Sequence, residues 1–164
     1  MRNLFVILWA FLSFNRTEAA DILTSAFALK LPAGWHLAKA SSDDQQSAYS
    51  ESLDTWLTTS FISMKAKPSD TERIATMLKE HRLDAEATAA EKFDLHMTIA
   101  DPIVVPFSRG HQTAYFGHDD GGRQFRFLGF VTPYKTISIY LESKSRSQAE
   151  LETIFNELLK GLAY

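Results

Sequence analysis

Cysteine is absent from the 164 residues. No disulfide can brace the fold, no thiolate can serve as a nucleophile, and no cysteine follows the amino-terminal region to carry a lipid. Glycine is sparse, with 7 residues, and none stands in a Gly-x-Gly-x-x-Gly or Gly-Lys-Ser/Thr context, so the loops that cradle phosphates are excluded. Gly-x-Ser-x-Gly, the strained nucleophile elbow of many hydrolases, is missing as well. An excess of positive charge is also lacking. The formal net charge of −3 gives no electrostatic reason to expect nucleic acid or an anionic membrane as partner. Internal repeats, low-complexity tracts and linkers are not found, and nothing calls for a cofactor.

What is present begins at the amino end. Arg2 supplies a positive start, Leu4 to Phe14 is apolar apart from Ser13, and Thr17-Glu18-Ala19-Ala20 offers small residues for cleavage. Residues 1–19 read as a signal peptide. The apolar run is about half of the ~20 residues that a bilayer span requires, so a stable membrane anchor is not expected. Loss of Arg2, Arg16 and Glu18 with that segment takes the net charge from −3 to −4. A periplasmic or secreted protein is expected, with residues 20–164 forming one α+β domain.

The most regular stretch runs from Arg123 to Leu162. Phe125, Phe127, Gly129 and Val131 share one face of an extended segment, with Arg126, Leu128 and Phe130 on the other. Apolar bulk on both faces predicts a central strand. Lys135 to Glu142 follows, with Ile137, Ile139 and Leu141 inward and Thr136, Ser138 and Tyr140 outward, a strand with one wetter face. Ser147-Gln148-Ala149-Glu150 has capping-box form, in which hydroxyl and carboxylate each satisfy an amide at a helix start. Leu151, Ile154, Phe155, Leu158, Leu159 and Leu162 then make one apolar helical stripe, with Gly161 weakening only the last turn.

Earlier segments give a coarser pattern. Phe27 to Leu31 alternates as a first strand before Pro32-Ala33-Gly34, and Trp35 to Ala40 continues as a second. Ser41 to Gln46 is a polar loop. Ser47 to Glu51 and Trp56 to Lys65 read as extended, although neither phase of the latter is purely apolar. Ser69-Asp70-Thr71-Glu72 forms a second capping box, predicting a helix from about Asp70 to His81. Ala85 to Lys92 either extends that helix or starts another. Phe93 to Val105 returns to strand, with Pro102 and Pro106 placing part of it at a sheet edge. His111 to Gly117 is a short strand, joined to the next by the Asp119-Asp120-Gly121-Gly122 turn. The expected architecture is α+β: a mostly antiparallel sheet covered by a mid-chain helix and a C-terminal amphipathic helix.

This order of elements, opened by Phe27-Ala28-Leu29-Lys30-Leu31-Pro32-Ala33-Gly34-Trp35, resembles the PsbP-like and DcrB-like α/β/α sandwich proteins. The resemblance implies a small, non-enzymatic adaptor or binding domain. Related folds occur among periplasmic proteins and among accessory proteins of type VI secretion, including chaperones of toxic effectors. No catalytic motif comes with it.

The candidate site residues concentrate around one hairpin. Two imidazoles and a carboxylate from His111, His118, Asp119 and Asp120 would suit a transition metal if they converged. However, Asp-Asp-Gly-Gly is fully explained by turn chemistry, and no metal ligand is assigned. Arg109, Arg123 and Arg126 lie among Tyr115, Phe116, Phe125, Phe127 and Phe130, and interleaved arginines and aromatics carry most interface energy. Arg109, Tyr115, His118, Asp119, Asp120, Arg123 and Arg126 are therefore the expected partner-binding residues. The functional expectation is an exported, non-catalytic protein-binding module, an immunity or inhibitor protein that occludes a secreted toxin. Alternatives are a small envelope hydrolase or metal-binding protein using the histidine hairpin, and a structural or accessory envelope protein.

Overall fold

The computed structural model describes residues 21–38, 42 and 44–164. The expected signal peptide lies outside these residues, as do parts of the second strand and polar loop at 39–41 and 43. The elements in chain order are β1 (Asp21–Leu23), β2 (Ala28–Lys30), β3 (His36–Leu37), β4 (Gln45–Ser50), β5 (Thr55–Ser63), α1 (Thr71–Lys92), β6 (Met97–Phe107), β7 (Gly110–Asp119), β8 (Gln124–Val131), β9 (Lys135–Ser143), α2 (Gln148–Leu159) and β10 (Leu162–Ala163). Seven strands form an antiparallel sheet in the order β3-β4-β5-β9-β8-β7-β6, and β1-β2-β10 form a small second sheet.

Alternation along β8 and β9 decides which side chain enters which layer. Leu128, Phe130, Ile137, Ile139 and Leu141 point to one face, where they meet Leu151, Phe155 and Leu158 of α2 and Leu29 of β2 in a single apolar core. Burying each such α2 side chain contributes roughly 1.5–3 kcal/mol before entropy is subtracted, and this holds the short helix to the sheet. On the opposite face Tyr115, Phe125 and Phe127 pack under Leu78 and Leu83 of α1. The central position expected for β8 is observed, between β7 and β9.

Both predicted helices exist, but they begin differently. At α2 the capping box forms: Glu150 N donates to Ser147 Oγ at 3.4 Å, and Ser147 N donates to Glu150 Oε2 at 2.9 Å. The Ser147 amide pulls the Glu150 carboxyl below its usual range. At α1 the expected Ser69/Glu72 box does not form. A 3-10 turn over Pro68–Asp70 leads in instead, and Asp70 at the cap makes no side-chain cap bond. Thr71 Oγ1 donates to Pro68 O at 2.8 Å, which fixes that turn. The Ala-rich stretch after His81 continues the same helix to Lys92.

Two further corrections concern short elements. Strands β1 and β10 had no visible pattern at 3 and 2 residues, and Leu162, counted in the helical stripe, pairs with Leu29 of β2. Gly161 does more than end a helix: a Cβ there would lie 2.2 Å from Lys30 O, so only glycine lets the chain run against β2. At the β7–β8 hairpin the expected turn is present, with Gly122 at φ +86 and its amide on Asp119 O at 3.1 Å. The proline-bearing strand β6 is the sheet edge, and a register shift between Ala100 and Ile103 interrupts its ladder with β7.

Candidate binding surface

Helix α1 is too narrow to cover its side of a seven-stranded sheet. It packs on β6, β7 and β8, and reaches β9 through the Arg82 guanidinium, 5.1 Å from the Tyr140 ring. Among the described residues α1 does not pack on β3, β4 or β5, and Trp56 and Ile62 of β5 are exposed on this face. The ladder places His36, Tyr49, Trp56, Glu142 and Phe125 in one row across five strands. The rings of His36 and Tyr49 are 5.5 Å apart, those of Tyr49 and Trp56 stack at 5.2 Å, and Trp56 is 49% exposed. A large amphipathic ring held this way offers contact area at little entropic cost.

Where the open half meets the covered half, Arg123 is the hub. Its Nε donates to Asp119 Oδ2 at 2.9 Å, one terminal nitrogen donates to Glu142 and Tyr140 at 3.1 and 3.2 Å, and the other lies 3.4 Å from Glu86 Oε2. Burial works against the Arg123 charge, and Tyr140, Asp119 and Glu142 outweigh it, so its pKa lies above the usual value. Glu86, on α1 and 4% exposed, also accepts from Arg82 at 3.0 Å and from the Tyr115 hydroxyl at 3.5 Å. Burial pushes Tyr115 up to about 12; burial and the Glu86 and Glu142 carboxylates push Tyr140 up too. These hydroxyls stay protonated and rigidify the junction.

The seven residues expected to bind a partner separate into four places. Arg123 and Asp119 form the hub pair, and Tyr115 is buried under α1 at 1% exposure. Asp120 is exposed and clasps β6, accepting from His96 N at 3.0 Å. Arg126 points to the other face, where its Nε meets Glu152 of α2 at 2.8 Å. His118 is exposed on that same face by its even position in β7. Arg109 sits at the far end of the β6–β7 hairpin, bonded to the Tyr164 main-chain oxygen with its guanidinium over that ring. The histidines of the metal alternative do not meet: they lie on opposite faces of β7, roughly 23 Å apart by strand rise. His111 Nδ1 instead bonds Thr71 Oγ1 at 2.9 Å.

Sequence reasoning missed His36, Tyr49, Trp56, Glu86 and Glu142. Local pattern gave no signal for Trp56, because both phases of β5 carry hydroxyls, Thr58 and Ser60 beside Trp56 and Thr55, Thr59 and Ser63 on the other. Glu86 gave none, because an inward carboxylate on an Ala-rich helix is visible only with Arg82 and Arg123 beside it.

No protein-family model matches the sequence, and no curated protein matches it. In fold the chain is similar to cyanobacterial PsbP (CyanoP) from Synechocystis sp. PCC 6803, with a TM-score of 0.59 at 13% identity over 84% of this chain and 85% of that one. A structure from Bacteroides thetaiotaomicron VPI-5482 is similar at TM-score 0.48 and 10% identity, over 87% of this chain and 46% of that one. The fold is PsbP-like, in agreement with the resemblance in the order of elements.

Proposed function

We propose that the protein is an exported, non-catalytic module that binds another protein through the open half of its sheet and acts by occlusion, as an immunity protein does against a secreted toxin. The observation that carries this reading is the His36-Tyr49-Trp56 row, half-buried at His36 and Tyr49 and exposed at Trp56, mounted on a seven-stranded sheet beside the Arg123 hub. Aromatic residues next to arginine on a preorganised surface are what tight interfaces use as anchors. Export rests on the Arg2 to Ala20 pattern. The hydrolase alternative draws no support from its own constellation, since His111 and His118 point to opposite faces. Occlusion needs no moving part, which suits a surface made of ladder residues.

The test is affinity capture from the envelope fraction of the producing cells, with wild-type protein and Trp56→Ala in parallel. A partner retained by wild type and released by the variant, at unchanged melting temperature, is expected. Equal capture by both proteins, or a product that stays in the cytosol, would refute the proposal. For the immunity role, deletion of the gene should sensitise cells to a co-encoded effector.

A further inference from the structure

Resting on that binding reading, we infer that the partner presents a basic segment, and that one of its arginine or lysine side chains enters a cleft between Trp56 and Phe93. Two cavities of about 320 and 340 Å³ share Arg123, Glu142 and Lys144, so they adjoin at the Arg123 hub. A third of about 370 Å³ continues past Ala90 and Leu95 to Glu91 and Asp94. The cleft therefore crosses the whole end of the molecule, from the β4–β5 turn to the carboxyl end of α1.

Its walls are aromatic and its lining is acidic. Trp56 and Phe93 are 49% and 67% exposed, and each lines one of the two central cavities. The charged lining comprises Asp54, Glu91, Asp94, Asp119 and Glu142 against Arg123 and Lys144. Arg123 is committed to Asp119, Glu142, Glu86 and Tyr140, and Asp119 is buried behind it. What faces an incoming ligand is Asp54, Glu91, Asp94 and Glu142, against Lys144 and against Lys92, whose Nζ lies 5.7 Å from the Phe93 ring centroid and leaves the Trp56 indole as the open aromatic face. Such a surface repels an anion. A flat cation placed against an indole or phenyl face gains cation–π attraction, and a guanidinium pairs with a carboxylate through two parallel hydrogen bonds. The opposite end of the sheet has the reverse character. Its cavity of about 640 Å³ is lined by Arg109, His111, Lys135 and Tyr134 with no Asp or Glu among the lining residues, the Glu72 carboxylate lying 4.0 Å from His111 Nε2. It serves as an internal control.

The probe is an acetylated, amidated Gly-Arg-Gly-Arg-Gly peptide, titrated into isotope-labelled protein beside its glutamate twin and followed by amide and indole resonances. The arginine peptide is expected to shift Trp56, Phe93, Leu95 and Gly121, and to bind more weakly as salt rises. Trp56→Ala and the Asp54→Asn, Glu142→Gln pair should each weaken it by roughly threefold to tenfold. Tyr134→Ala should leave it unchanged. Equal binding of the glutamate peptide, or shifts confined to the Tyr134 end, would overturn the inference. So would a neutral oligosaccharide that moves Trp56 more than the arginine peptide does, which would make the face a glycan platform. If a protein partner is captured in a Trp56-dependent way while the arginine peptide leaves the cleft unmoved, the basic segment is refuted and the binding reading stands.

Discussion

The two faces of the sheet are held by different physics. Under α2 and the β1-β2-β10 sheet the core is aliphatic and phenyl, sealed by a 12-residue helix with Leu151, Phe155 and Leu158 at 0–1% exposure. Under α1 a 22-residue helix packs on β6, β7 and β8, and its inner face contributes Arg82 and Glu86 as well as Leu78. Burial is the main hold on the first helix, with the Arg126–Glu152 pair at 2.8 Å beside it. The second depends on satisfying charge in a partly dry site, where every partner must be present. An ion network of Arg123 with Asp119, Glu142 and Glu86 ends the α1 core where the uncovered half of the sheet begins.

Paired deletions should break this comparison most strongly. Phe155→Ala leaves a cavity and should cost about 3–5 kcal/mol. Arg123→Ala should cost a similar amount, about 3–5 kcal/mol, because Asp119 remains buried without a counter-charge and Glu86 keeps Arg82 alone. Denaturant unfolding with and without Asp119→Asn separates the causes. The Arg123→Ala loss should shrink in the Asp119→Asn background, where no charge is left stranded at that position, while the Phe155→Ala loss should not. Equal Arg123→Ala losses in the two backgrounds would mean that Arg123 acts through packing alone.

Alkali should sharpen the contrast next. Tyr115 titrates near 10 when unfolded and at about 12 in the fold. Between those values the native state holds a proton that the unfolded chain has lost, so stability falls as pH rises through this window and levels off above it. The loss from this residue should reach roughly 2–3 kcal/mol. Tyr115→Phe should flatten the curve in a pH series of melting temperatures. Tyr140, displaced in the same direction, adds to the slope in both proteins.

Helix entry gives a smaller effect. Ser147→Ala removes a formed capping box and should cost about 1 kcal/mol. Ser69→Ala, at the box that does not form, should change stability by less than about 0.5 kcal/mol. If urea midpoints move equally, the 3-10 entry to α1 contributes more than its hydrogen bonds indicate.

Legibility in the sequence follows the same division. On the α2 side, β8, β9, the hairpin turn and the helix could be read residue by residue, because alternation, helical spacing and capping each had one dominant signal. On the α1 side the helix was half seen. Ala75, Ala90 and Glu86 are buried in it, and small or charged inward positions blur the apolar stripe that marks a helix. The strands β1 and β10 are too short to show a period. Of the candidate surface, Arg123 and Asp119 could be picked out as hairpin residues. Trp56 and Glu142, cross-strand neighbours separated by 86 positions in sequence, are brought together only by the β5–β9 pairing. A long-range register of that kind is invisible in local pattern.

A small effect on stability is the one that discriminates best. Trp56 stacks on Tyr49 but leaves half its surface in water, so Trp56→Ala removes one cross-strand pair and little burial. Its cost should be about 0.5 kcal/mol, measured by thermal unfolding. On the proposed reading, a ring that large with so small a stake in folding is kept for a partner. Should Trp56→Ala instead destabilise as strongly as Phe155→Ala, the row would be part of the core, and the open face would lose its claim to be a binding surface.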